Sequence, residues 1–244
     1  MALPYLSIVI PAYNESERIG KALEEVRKYA TSKPFMTELV LVDDGSSDST
    51  LDLFRQFQSL WPHTRILPNE VNRGKGFSVR RGVLEAQGAF ILFTDADLSA
   101  PIEETDKLLA ALVSSQGDAA VGSRALDRKL IGVHQPWRRE FAGRCFNLFV
   151  RLFTGLKIQD TQCGFKLFRR DTTRKAFELQ RVERFGFDPE VLFLIKRLGG
   201  KIVEVPVRWN DNPATKVHFL RDATRMFLDL LVLRWRAWTH QYFY

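Results

Sequence analysis

The chain is poor in the residues that build covalent or metal-stapled scaffolds. Its two cysteines, Cys145 and Cys163, are too few for a disulfide framework and do not sit at metal-ligand spacing. Free thiols fit a reducing compartment. Four histidines, His63, His134, His218 and His240, are scattered and form no metal motif. No apolar run approaches the roughly 18 residues that a membrane-spanning helix needs. Met1 to Tyr5 leads straight into a strand-like segment, without a basic region followed by an apolar signal core. The expectation is a cytoplasmic chain with contact to the cytoplasmic face of a membrane left open. Internal repeats, low-complexity tracts and an evident linker are also missing, so a single domain over residues 1–244 is expected.

What is present is an apolar fraction of 45% and a charged fraction of 27% in 244 residues. That supports a well-filled core and excludes a disordered chain. The formal net charge is +7, and it is unevenly spread. Arg124 to Arg184 holds 15 Lys and Arg against 6 Asp and Glu. A basic surface of this kind attracts phosphates, whether on nucleic acid, lipid head groups or small molecules.

Up to about residue 125 the chain alternates strand and helix. Short apolar runs at Leu6–Pro11, Glu38–Val42, Thr64–Leu67, Ala89–Thr94 and Asp118–Gly122 read as buried strands. Helical spacing follows at Glu17–Tyr29, with Ser16 as N-cap, then from an Asp48 cap to Leu60, at Lys75–Gln87 and at Glu103–Ser114. This is a doubly wound α/β layout, whose ligands bind beyond the carboxyl ends of the strands. The second half is less regular. Helices are expected at Trp137–Phe153, Pro189–Leu198 and Phe219–Trp238, a strand at Gly164–Arg169, and an edge strand at Lys201–Trp209.

Polar, turn-forming clusters fall at the expected strand ends. Asp95 and Asp97, leaving a strand into a turn, can both approach one hard cation, Mg2+ or Mn2+, that also takes phosphate oxygens. An Asp-X-Asp alone is common in turns; its place directly after Ala89–Thr94 favours the metal reading. Asp43 and Asp44 either shape a turn before the Asp48 cap or accept hydrogen bonds from a base or ribose. Asn72-Arg73-Gly74-Lys75-Gly76 sets a permissive backbone and a cation at a helix start, which suits a phosphate, but fits neither a P-loop nor GxGxxG. A nucleic-acid-binding protein is the competing reading of the basic band. No helix-turn-helix, zinc-finger or RNP-like run supports it, and an acidic cluster without metal would repel phosphates.

The runs Pro11-Ala12-Tyr13-Asn14-Glu15, Asp43-Asp44-Gly45-Ser46, Asn72 to Gly76, Asp95-Ala96-Asp97-Leu98-Ser99 and Gly122-Ser123-Arg124, in this order, resemble the inverting family 2 glycosyltransferases of GT-A fold. The later runs Asp160 to Phe168, Phe187 to Glu190 and Glu204 to Val207 are similar to the polyprenyl-phosphate glycosyltransferases. The dolichyl-phosphate β-glucosyltransferase type is nearest and the dolichyl-phosphate mannose synthases next. The resemblance spans residues 5–233.

It implies a Rossmann-like GT-A fold, a mostly parallel sheet with helices on both faces and a C-terminal amphipathic helix. Residues 1–124 would bind the nucleotide sugar and 125–218 the acceptor, with 219–244 packed on the domain or lying at a membrane interface. Pro11, Ala12, Tyr13, Glu15 and Asp44, with Asp43 beside them, would form the base and ribose pocket, and Lys75 would lie near the nucleotide. Asp95, Ala96 and Asp97 would make the metal and diphosphate site. Arg124, Arg138 or Arg139, Gln162 and Lys216 would meet the acceptor phosphate, with Gly164, Phe165 and Lys166 in the acceptor-side loop. Asp188 and Glu190 would be an acidic pair at the sugar. Asp97, Arg124 and Asp188 would be catalytic, with Asp188 as base only if the acceptor were an alcohol. The donor implied is UDP-glucose and the acceptor a polyprenyl phosphate, with GDP-mannose as donor or a soluble or polysaccharide acceptor as the alternative. Ser99 stands where mannose synthases often carry a metal-binding Gln, and Thr215-Lys216-Val217 where relatives read Ser-Lys-Val.

Overall fold

The computed structural model describes residues 3–211 and 219–242. A seven-stranded sheet runs in the order β3-β2-β1-β4-β7-β5-β8. Its strands are β1 Leu6–Ala12, β2 Thr37–Asp43, β3 Thr64–Pro68, β4 Phe90–Thr94, β5 Ala119–Ser123, β7 Phe165–Arg169 and β8 Ile202–Pro206. A short parallel pair, β6 Ile131–Val133 with β9 Trp209–Asn210, lies apart. Eight α-helices accompany them among the described residues: α1 Ile19–Thr31, α2 Thr50–Leu60, α3 Lys75–Glu85, α4 Thr105–Ser114, α5 Trp137–Thr154, α6 Arg170–Leu179, α7 Phe187–Arg197 and α8 Phe219–Trp238.

The continuous apolar character of β1, β2 and β4 follows from burial on both faces. Leu6, Ile8 and Ile10 join one apolar cluster with Leu39, Leu41, Phe90 and Leu92. Val9 joins the other, with Val40, Val42, Ile91 and Phe93. Successive strand side chains point to opposite faces, so each run feeds two cores. Each such side chain, fully buried, contributes about 1.5–3 kcal/mol. On one face α1 buries Ile19, Leu23, Val26 and Ala30 at helical spacing. On the other α3 presents Gly76, Val79, Gly82 and Val83. A Cβ on Gly82 would lie 2.4 Å from a Val9 methyl, so α3 packs this closely only because that position has no side chain.

The parallel order has one reversal. β7 runs antiparallel between β4 and β5, pairing Thr94 with Phe165 and Val121 with Lys166. This brings the start of β7, and the loop before it, to the carboxyl edge of the parallel strands. The expected strand at Gly164–Arg169 is therefore present, but as the antiparallel centre of the sheet. The expected edge strand stops at Pro206, which has no N–H for the ladder. Ser16 does not cap α1. The cap position is Arg18, without a side-chain bond, and the Ser16 N–H instead donates to Asp48 at 3.1 Å. Asp48 accepts from the Thr50 N–H at 3.0 Å and the Thr50 hydroxyl at 2.5 Å. Those bonds outweigh the effect of burial and draw its carboxyl down to about 2.

Candidate active site

The carboxyl ends of β1, β2 and β4 and the amino end of β7 define one rim. Ala12 pairs with Asp43 across β1 and β2, and the Asp44 N–H donates to the Ala12 carbonyl at 2.8 Å. The Asp95 N–H donates to the Gly164 carbonyl at 3.2 Å, joining the end of β4 to the loop before β7.

Asp95 and Asp97 stand on this rim, with buried Ala96 between them. Lys75, the first residue of α3, places Nζ 2.5 Å from Asp95 Oδ1. Arg18 forks onto Glu15, with Nη2 2.8 Å from Oε1, and its Nη1 stands 3.9 Å from Asp97 Oδ2. The Ser99 N–H donates to Asp97 Oδ1 at 3.1 Å. Burial, and then the neighbouring Asp95 charge, push the Asp97 carboxyl above the usual range. Burial alone would lower the Lys75 ammonium, but Asp95 and Asp188 hold it above its ordinary value, so it is a fixed cation. The turn carries backbone strain, since Leu98 has φ +47°.

Gly164 is the wall of this site. A Cβ there would fall 1.9 Å from Asp95 Oδ2, 2.5 Å from its Cγ and 2.9 Å from Oδ1. The Asp95 carboxylate thus occupies space that only glycine leaves.

The two acids of β2 do different jobs. Asp44 is saturated by the chain: it accepts from Asn69 Nδ2 and the Gly74 N–H at 2.8 Å each, and from the Arg73 N–H at 3.0 Å. It therefore ties the 69–74 loop, and with it Lys75, to the sheet. Asp43 accepts from the Ser46 N–H at 3.2 Å through Oδ2, whereas its buried Oδ1 has no hydrogen-bond partner. A buried acceptor left open is costly unless a ligand satisfies it. Pro11, Ala12 and Glu15 are buried, and Tyr13 is 40% exposed at the rim.

Across the rim, Arg124 at the end of β5 is held by Asp160. Its Nε and Nη2 donate at 2.7 and 2.8 Å, and its backbone N–H donates at 3.0 Å. The guanidinium also lies 5.2 Å from the Trp209 ring centre. Burial would raise the Asp160 carboxyl, but the Arg124 charge and hydrogen bonds reverse this and hold it low. Burial, and then Asp160, push the Cys163 thiol up to about 12, so it stays protonated and inert. Gln162 has a buried Nε2 with no partner. Lys166, almost fully buried, donates to Asp188 Oδ1 and to the Cys163 carbonyl, both at 2.5 Å. Burial raises the Asp188 carboxyl against the pull of Lys166 and Lys75.

Two residues predicted for the acceptor side stand on a helix rather than at a strand end. Arg138 and Arg139 open α5; Arg138 is exposed with its guanidinium 5.5 Å from the Trp137 ring centre, and Arg139 stands 3.8 Å from Asp211. Lys216 lies outside the described residues. The expected acidic pair is divided. Glu190 is fully buried and accepts from the Arg181 and Val182 N–H groups at 3.1 and 2.8 Å and from the Tyr242 hydroxyl at 2.6 Å. It braces the segment before α7 against the end of the described chain, two residues beyond Asp188. Sequence reasoning had not singled out Arg18, Asp160, Trp209 or Tyr242. Only for Asp160 was there a signal, its place in the Asp160 to Phe168 run.

Among the described residues no three His, Cys, Asp or Glu side chains gather as a closed metal site. Two carboxylates on an open rim with cations beside them fit Mg2+ or Mn2+, which take one or two carboxylates and fill the remaining positions with substrate phosphates and water.

The model of the family "Glycosyl transferase family 2" matches residues 7–177. A dolichyl-phosphate beta-glucosyltransferase of Trichomonas vaginalis is 37% identical over 237 residues, covering 93% of this chain and 72% of the relative. The Saccharomyces cerevisiae enzyme of the same name is 34% identical over 250 residues, covering 94% and 74%. Among solved structures, glucosyl-3-phosphoglycerate synthase from Mycobacterium tuberculosis, in complex with Mn2+, UDP and glucosyl-3-phosphoglycerate, is similar with a TM-score of 0.70. It is 19% identical, covers 95% of this chain and 80% of that one, and supports the GT-A fold. With the family model over most of its length and relatives above 30% identity, the chain belongs to glycosyl transferase family 2.

Proposed function

We propose that the chain transfers glucose from UDP-glucose to a polyprenyl phosphate of dolichyl type, with inversion at the sugar and dependence on Mg2+ or Mn2+. The observation that carries the reading is the Asp95 and Asp97 pair on the open rim, walled by Gly164 and accompanied by Lys75. The relatives, which are dolichyl-phosphate beta-glucosyltransferases, support the donor sugar and the lipid acceptor. The two free thiols suit the cytoplasmic side of a membrane.

Asp43, with Oδ1 open, would accept from the uracil or ribose, and Tyr13 would close over the base. Asp44 acts through the 69–74 loop, which fixes Lys75 at the start of α3. Asp95 and Asp97 would hold the divalent ion, which when bound supplies Lewis-acid support to the leaving diphosphate. Lys75 then has a phosphate to pair with as well as a carboxylate. Arg124, pre-set by Asp160, would receive the acceptor phosphate with the planar fork that suits a phosphate. Arg138, Arg139 and Lys216 would add positive charge along its approach, and Gln162 would use its unpartnered amide. A phosphomonoester is largely dianionic at neutral pH, with a second pKa near 6. It attacks C1 as it stands, so Asp188 is not required as a base. Its pairing with Lys166 makes it a positioning residue at the floor of the site.

The test has two arms. Melting should rise with UDP or UDP-glucose plus Mn2+ and return to baseline with EDTA, since a ligand of the folded state must stabilise it. A rise with GDP-mannose instead would reassign the donor. Glucose transfer should then require detergent-dispersed polyprenyl phosphate; turnover with water-soluble acceptors alone would refute the lipid assignment. Asp97→Ala should abolish turnover with the fold intact, and an active variant would remove the metal-site assignment.

A further inference from the structure

We infer that the outer faces of α5 and α8 form one docking surface for an anionic lipid bilayer. This deepens the lipid-acceptor reading by naming the surface that meets the membrane.

Both helices expose an apolar stripe in addition to the face they bury, whereas the outer face of an ordinary surface helix is polar. On α5 the exposed apolar residues are Trp137 at 71%, Phe141 at 64%, Leu148 at 55% and Leu152 at 71%. With Arg144 and Arg151 they recur at steps of three or four, which is one face of a helix. The opposite face buries Asn147, Val150 and Thr154. On α8, Leu228, Val232, Trp235 and Trp238 are 54, 40, 53 and 77% exposed at the same spacing, while Leu230, Leu233 and Ala237 are buried. The two helices meet along an aromatic seam. Phe149 and Phe153 contact Phe227 edge-on, with ring centres 5.4 and 6.3 Å apart. Contiguous exposed apolar surface of this kind marks an interaction site.

The charges select the occupant. Arg138, Arg144, Arg151, Arg225 and Arg234 are all exposed. The acids among the described side chains of α5 and α8 are Glu140 and Asp229, and neither is exposed. Glu140 is held by Arg128 and Arg144, and Asp229 is packed against Gly186. Trp, Phe and Leu mixed with arginine, with no exposed acid among the described side chains, is the composition of an interfacial helix on anionic lipid. A second copy would set these arginines against their own kind across a two-fold axis, which opposes self-association.

The surface is also joined to the acceptor side of the site. Inward from the stripe, Asn147 Nδ2 donates to the Ile158 and Gln159 carbonyls at 3.0 and 2.8 Å. Its Oδ1 accepts from the Thr161 N–H and hydroxyl at 3.2 and 2.9 Å. That loop carries Asp160, which holds Arg124. The helix that would lie on the bilayer thus also fixes the loop that would receive a phosphate at head-group depth.

The test is flotation of the full chain with vesicles of phosphatidylcholine alone and of phosphatidylcholine mixed with phosphatidylglycerol, without nucleotide sugar or polyprenyl phosphate. The chain should float with the mixed vesicles, release with rising salt, and shift its Trp emission to the blue. Two double variants, Leu148→Glu with Trp235→Glu and Arg144→Glu with Arg151→Glu, should each lower the partition coefficient at least about tenfold. Both should keep the wild-type melting temperature and its response to UDP and Mn2+. Wild-type chain that stays with the aqueous phase, or variants that float like wild type, would overturn the proposal. So would a lipid-free dimer that protects α5 and α8 from hydrogen exchange. Because the assay holds neither substrate, failure of the transferase reading leaves a positive flotation result standing, and a negative one leaves the donor site untouched.

Discussion

Gly164→Ala adds one methyl group and tests the centre of the argument. The new Cβ would lie 1.9 Å from Asp95 Oδ2 and within 3 Å of the other carboxylate atoms, so rotating the carboxylate cannot clear it. Oxygen and carbon cannot approach closer than about 3 Å, so the group must retreat by about 1 Å or more. The Lys75 contact at 2.5 Å is disrupted in the process. Overpacking costs about 1–3 kcal/mol. Gly164 is not in the left-handed region, so alanine also stiffens the unfolded chain, which returns about 0.4–1 kcal/mol. The net loss is about 1–2 kcal/mol, a fall of a few degrees in Tm for a chain of this size. Catalysis should suffer far more, since a displacement of about 1 Å at a reacting site costs about 100-fold. Two measurements give the readout: Tm without ligand, and the Mn2+-dependent rise in Tm with UDP together with turnover. A Tm lower by a few degrees, a lost metal-dependent rise and turnover down about 100-fold are expected. Turnover within a few-fold of wild type, with the rise retained, would refute the assignment of Asp95 to the metal and diphosphate.

Other perturbations follow from the same contacts. Asp160→Asn leaves the Arg124 fork short of its counter-charge and should cost about 3 kcal/mol at pH 7. Because the folded Asp160 carboxyl is held low, its contribution is complete above the unfolded value of about 4 and is lost as pH falls through that value and below. Urea melts should therefore show the gap to wild type narrowing below about pH 4; a gap constant from pH 7 to pH 3 would contradict the pairing. Tyr242→Phe removes one donor from the buried Glu190 carboxylate and should destabilise by about 2 kcal/mol without altering which nucleotide binds. Lys166→Met strands Asp188 in the interior and should lower Tm more than Lys75→Met, whose partner Asp95 is 33% exposed, and differential scanning calorimetry separates the two.

The first half of the fold was legible because its signals are local. Buried parallel strands read as unbroken apolar runs, and β1, β2, β4 and β5 each fell within a residue or two of expectation. Their carboxyl ends then had to hold the polar clusters, which put Asp43, Asp95 and Arg124 on one rim before any geometry was known. The second half depends on long-range pairing. Nothing in Phe165–Arg169 says that it runs antiparallel, because direction is set by its partners Phe90–Thr94 and Ala119–Val121 rather than by its own residues. α6 went unread because its polar sequence buries only Thr173, Ala176 and Phe177. β6 is three residues long and half exposed, below what a pattern can carry.

The same distinction explains why acids that share one expected role are held differently. A strand end tells which side chains reach the rim, but not which protein group claims them once there. Asp43 and Asp44 are adjacent, both acidic and both buried, so sequence gives them one shared role. The structure divides them by hydrogen-bond supply. Asp44 meets three donors from the 69–74 loop, while one oxygen of Asp43 meets none. Asp188 and Glu190 divide in the same manner, one at the floor of the site with Lys166 and the other under Tyr242. In each pair the residue saturated by chain donors braces a loop, and the other, with an open or cation-facing oxygen, faces the site. The saturated members should therefore tolerate isosteric amides poorly in stability, because an amide replaces an acceptor with a donor facing another donor. Asp43→Asn, with Oδ1 facing no donor in the chain, should fold normally and lose nucleotide binding alone. A calorimetric scan that finds Asp43→Asn as destabilised as Asp44→Asn would show that this division by hydrogen-bond supply does not govern the rim.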